Sequence, residues 1–97
     1  MHQYESNQQF YNHIDKVVAS LRLTGQIDIA NQIHHLLHKV TWTSASELFG
    51  ELRERFEKVL KSPTPLPKHV EDDINGFITI INQALSRSIA SSKHSVG

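Results

Sequence analysis

Residues 44–61 read SASELFGELRERFEKVLK, and this stretch decides the fold. Ala45, Leu48, Phe49, Leu52, Phe56, Val59 and Leu60 recur at i, i+3, i+4, i+7, i+11, i+14 and i+15. That spacing puts all of them on one face of an α-helix. The opposite face carries Glu51/Arg55, Glu54/Lys58 and Glu57/Lys61, each an acid four residues before a base, the favourable orientation for a helix surface. Ser44 and Glu47 have the spacing of a capping box, which marks where the helix begins.

The same period continues on both sides. Downstream, residues 62–67 read SPTPLP; three prolines in five positions disfavour helix and give a short, stiff connection. Pro67 is placed to open a following helix. Its stripe is Val70, Ile74, Phe77, Ile78, Ile81 and Leu85, with Ile80 off the stripe and so suited to burial on a second side or to a dimer contact. Glu71, Asp72 and Asp73 fall in its first turns, where the helix dipole favours negative charge. Upstream, Thr41-Trp42-Thr43 interrupts a stripe formed by Ile29, Ala30, Ile33, Leu36, Leu37 and Val40. Gly25 separates that stripe from Phe10, Ile14, Val17, Val18 and Leu21, which a possible capping box at Ser6 and Gln9 precedes. No segment alternates as a strand does. The expectation is one all-α domain, a compact antiparallel four-helix bundle, with helices over about 7–23, 27–40, 45–61 and 68–88, a linker over 62–67 and a frayed tail over 89–97.

Composition agrees. A chain of 97 residues with 38% hydrophobic and 21% charged side chains is a folding chain of one domain. At this size it buries roughly 60–65% of its unfolded surface. There is no cysteine, so disulfides and thiolate metal sites are excluded. No apolar run approaches membrane-spanning length, and the polar start MHQYESNQQ lacks a signal-peptide core, so the expected location is the cytoplasm. Ten basic and ten acidic residues cancel, which argues against a nucleic-acid binder.

Histidines form the one concentrated polar feature. Of seven, His34, His35 and His38 lie within NQIHHLLHKV, residues 31–40. Measured around the helix from Ile33, His34 lies at about 100°, His38 at about 140° and His35 at about 200°, so all three border or face away from the core. His34 and His38 are i, i+4 and could hold one metal through two imidazoles. The pattern H-H-x-x-H lacks the glutamate of H-E-x-x-H, and His13, His69 or an acid from another helix would have to complete the set. The expectation is therefore no metal and no cofactor, with His34 and His38 as the candidates if one binds. The run Glu71-Asp72-Asp73 diverges around a helix and cannot face one ion.

Catalytic patterns are not found: no nucleophile elbow, no glycine-rich phosphate loop and no motif-held carboxylate pair, so an enzyme is not expected. The second and third helices could form a helix-turn-helix. The outer face of the third would then offer phosphate Glu47, Glu51, Glu54 and Glu57 beside Arg53, Arg55, Lys58 and Lys61, with no net attraction. Trp42 either plugs the end of the bundle or anchors a protein interface.

Leu21, Gly25, Ala30 and Ile33, followed by Thr43-Ser44-Ala45-Ser46-Glu47-Leu48 and Leu52-Arg53, form a pattern over residues 21–60. It resembles small all-helical bacterial immunity proteins of contact-dependent and polymorphic toxin systems. The resemblance implies a cytoplasmic helical protein that binds one cognate toxin domain, such as a nuclease, and covers its active site. Neutral charge departs from the acidic balance common among immunity proteins against nucleases. The resemblance carries over no functional residue, because the group shares no binding motif; the partner-binding residues expected from the helix faces themselves are His34, His35, His38, Trp42, Glu47, Glu51, Glu54, Arg55, Glu71 and Asp72. The alternatives are a DNA-binding or regulatory bundle and, third, a metal-binding bundle. Homo-oligomerisation is left open by Ile80.

Overall fold

A computed structural model describes residues 7–96, with side chains described over 7–87. Four helices follow in order: α1 Asn7–Leu23, α2 Ile27–His38, α3 Ala45–Lys61 and α4 Lys68–Val96. α1 packs on α2 and α4, and α3 packs on α2 and α4, so α2 and α4 occupy opposite corners. Neighbours run antiparallel. Asp15 meets His38 while Arg22 meets Asn31. Arg53 meets Asn82 while Phe56 meets Phe77, and His13 meets Asp73 while Phe10 meets Phe77. In every seam where two pairs can be compared, one residue number falls as the other rises. The all-α bundle expected from the sequence is the observed fold.

The core is the sum of the four stripes. Ile14 and Leu21 of α1, Ile33 of α2, Leu52 and Phe56 of α3, and Ile74, Phe77 and Ile81 of α4 are all fully buried. Phe77 holds the centre, with ring centroids 5.6 Å from Phe10 and 5.3 Å from Phe56. Phe10 also meets Phe49 edge-on at 5.9 Å. Such tilted and T-shaped contacts match the quadrupoles of the rings. Every fully buried side chain among the described residues is apolar. Ile80 is half-buried and packs against this core.

Helix ends follow local chemistry. The Gly25 amide donates to the Arg22 carbonyl and the Gln26 amide to that of Leu21, at 3.1 and 3.0 Å. With Gly25 at φ +89° this is a Schellman turn, and it closes α1. Gln26 takes the place where such turns commonly carry an apolar residue; its Nε2 is buried with no hydrogen-bond partner. α2 ends at His38, two residues before its expected end at 40. The cause is Trp42, whose Nε1–H donates to the Leu36 carbonyl at 2.7 Å. A continuing helix would offer that carbonyl to the amide of Val40.

Ser44 caps α3 as its spacing predicts, its hydroxyl accepting from the Glu47 amide at 3.4 Å. The Glu47 carboxylate accepts instead from the Thr43 hydroxyl at 2.6 Å. Of the expected surface pairs, Glu51–Arg55 closes at 3.1 Å and Glu54–Lys58 at 3.6 Å. The Pro67 carbonyl accepts from the amides of Val70 and Glu71 and so starts α4. α4 then runs on through 89–96, where a frayed tail was expected. Residues 77–96 contain neither glycine nor proline, so nothing in the backbone chemistry stops the helix. Ser6, the proposed cap of α1, lies outside the described residues. Among the described residues no helix is long and apolar enough to cross a membrane.

Candidate functional site

Each of the four seams between neighbouring helices carries at least one polar pair at its rim. Asp15 and His38 bridge α1 to α2, with Arg22 and Asn31 one end further along at 3.0 Å. Gln32 accepts from Arg55 Nε across α2 and α3 at 3.0 Å. Arg53 donates to Asn82 across α3 and α4 at 2.8 Å. His13 Nε2 lies 3.3 Å from an Asp73 oxygen across α1 and α4.

The positions follow from the stripes. Asp15 follows buried Ile14, and His34 follows buried Ile33. A residue one step after the stripe centre sits about 100° round the helix. In the antiparallel pair α1 and α2 these two flanks face each other.

The α1–α2 seam brings Asp15, His34 and His38 together. His38 Nε2 lies 2.9 Å from Oδ1 and 3.0 Å from Oδ2 of Asp15. One turn back, the His34 ring stands over that of His38, centroids 4.6 Å apart and tilted 41°. One ligand-type atom from each of Asp15, His34 and His38 lies within 4.8 Å of the other two. Two imidazoles on one helix and a carboxylate on the next thus converge at a solvent-accessible rim. Such a set can take a proton, accept hydrogen bonds from a partner or hold a borderline metal ion.

Of the residues expected to bind a partner, most gather around α2. His35 points outward between the two seams of α2, while His34 and His38 border α1. Arg55 is held by Glu51 at 3.1 Å, by Glu54 at 3.4 Å and by Gln32, so its charge is largely answered inside its own surface. Trp42 and Glu47 lie beyond the end of α2 and at the start of α3. Trp42 is half-buried and its N–H is used, as its structural reading requires. Glu71 and Asp72 stand apart, at the start of α4, the corner opposite α2. Asp72 is paired there with Lys68 at 3.0 Å.

Sequence reasoning missed three residues. Asp15 completes the histidine set; its signal was the step after Ile14. Leu23 and Ile27 stand on either side of the Schellman turn and are 89% and 53% exposed, the large apolar side chains left open to solvent among the described residues. Leu23 falls off the α1 stripe, which is the signal that could have singled it out.

Compared with known proteins, the chain matches no family model, no curated protein and no solved structure.

Proposed function

We propose that this chain is a protein-binding helical module, a bacterial cytoplasmic immunity protein that neutralises a cognate toxin by covering its active site. The observation that carries the reading is the exposure of two large apolar side chains, Leu23 and Ile27, on either side of one Schellman turn. One exposed leucine is ordinary on a soluble protein. Two large apolar groups on one rigid turn, beside the polar Arg22–Asn31 bridge, have the composition of an anchor with a hydrogen-bonding rim. The turn is closed by two backbone hydrogen bonds, so docking it orders little and loses little entropy.

The face centred on α2 continues from this turn. His34, His35 and His38 run along it, and Glu51, Glu54 and Arg55 flank it from α3. Mixed charge of this kind supplies partner discrimination more than affinity. The partner is a protein with an apolar recess for Leu23 and Ile27 and polar groups for the rim; nucleic acid and membrane are not its targets.

The test is rescue of growth. The protein encoded immediately upstream of this gene is expressed in a sensitive host, with and without this chain. Restored growth with the wild-type chain, and its loss in the Leu23→Ser/Ile27→Ser variant, is the expected result. No rescue by the wild-type chain sinks the immunity reading. Full rescue by the double variant moves the interface away from this turn.

A further inference from the structure

We infer that Asp15, His34 and His38 form a binding site for a divalent metal ion of the zinc class, which would clasp α1 to α2. The inference is independent of the proposed partner. Its basis is the convergence of three donors of the right types from two helices.

The helical spacing supplies the first two ligands. His34 and His38 are one turn apart on α2, with their ring centroids 4.6 Å apart. The Asp15 carboxylate supplies the third from α1, 2.9 Å from His38 Nε2. A tetrahedral zinc ion with bonds of about 2.0–2.1 Å requires donors about 3.4 Å apart. Separating His38 from Asp15 by roughly half an ångström would therefore admit the ion between them. His34 must close inward from the present spread of up to 4.8 Å. Both are side-chain movements at a rim where His38 and Asp15 remain 40% and 35% exposed, so backbone and core need not shift.

Donor chemistry selects the ion. Two imidazoles and one carboxylate suit zinc, cobalt and nickel, whereas calcium and magnesium prefer oxygen donors. Three protein ligands leave a fourth position for water or an outside donor, the open type of zinc site. Neighbouring groups define what is outside the set. His35 points away on the same helix, and His13 is engaged with Asp73 on the far side of α1.

The experiment is calorimetric titration of the full chain, without an affinity tag, by zinc chloride. One equivalent binding with a Kd of about 10 μM or tighter is expected. Asp15→Asn, His34→Gln and His38→Gln should each weaken that binding by at least about tenfold, while His35→Gln leaves it in place. Helicity by circular dichroism, unchanged in each variant, separates loss of a ligand from loss of fold. Zinc should also raise the melting temperature of the wild-type chain and not that of His38→Gln, because an ion that binds only the folded state stabilises it. Absence of binding at this affinity overturns the site. So does binding that survives unchanged in Asp15→Asn and His38→Gln, which would assign the zinc to other histidines.

Discussion

His38 Nε2 sits nearly equidistant from the two carboxylate oxygens of Asp15, at 2.9 and 3.0 Å, across 23 residues of sequence. Both side chains are more than a third exposed, so water screens the pair. In metal-free buffer a double-mutant cycle with Asp15→Asn and His38→Gln should give a coupling of at most about 1 kcal/mol. Chemical denaturation of the wild-type chain, both single variants and the double variant measures it; a coupling of several kcal/mol would show that water does not screen the pair.

Phe77 and Leu23 make opposite demands on stability. Phe77 is fully buried, with Phe10, Phe56 and His13 around its ring. Phe77→Ala should cost about 3–5 kcal/mol, a large share of the stability of a domain this size. Leu23 is 89% exposed, and Leu23→Ala should stay within about 0.5 kcal/mol. Urea midpoints compare the two directly. Similar losses would mean that Leu23 is packed in solution and is no anchor.

Gly25 holds φ at +89° with open space where a Cβ would stand. A side chain there meets no clash with neighbours, so any loss comes from the backbone conformation alone. Gly25→Ala should cost about 1 kcal/mol, and Gly25→Asn less, because asparagine tolerates the left-handed region better. Thermal melts of both variants give the order. Equal stability of Ala and Gly at this position would remove the conformational argument for the turn.

Tyr11 is half-buried at the edge of the core, and burial raises its pKa from the ordinary value of 10.0. Above that value the unfolded chain releases the phenol proton while the folded chain keeps it. The folded state then binds more protons, so stability falls as pH rises through this window, and it is unaffected by Tyr11 below it. Tyr11→Phe should therefore lose less stability than the wild-type chain between about pH 9 and about pH 11. Parallel denaturation curves at those two values test it; equal losses would show that Tyr11 does not carry the alkaline limb.

The four apolar stripes were legible because period 3.6 is a property of one helix by itself. Phe10, Ile33, Leu52 and Phe77 are buried where that period puts them. Ser44 was legible for the same reason, since a cap is local. Asp15 was not. Periodicity tells which face of a helix is inward, and says nothing about which neighbour meets its left or right flank. That depends on the cyclic order of helices, which the seam pairs reveal and a stripe does not. The early end of α2 was hidden likewise: it depends on an indole six residues away reaching back to Leu36, a contact outside any window of helical spacing.

Helices with interchangeable apolar stripes can slide past one another by a turn, keeping most of their burial and losing a unique partner. The rim pairs remove that freedom. A slip of one turn, about 5.4 Å, would carry Asp15 from His38, Gln32 from Arg55, Arg53 from Asn82 and His13 from Asp73 beyond hydrogen-bond reach. Each pair contributes little energy alone. Together they act as index marks around the bundle, and only one alignment brings all four into coincidence.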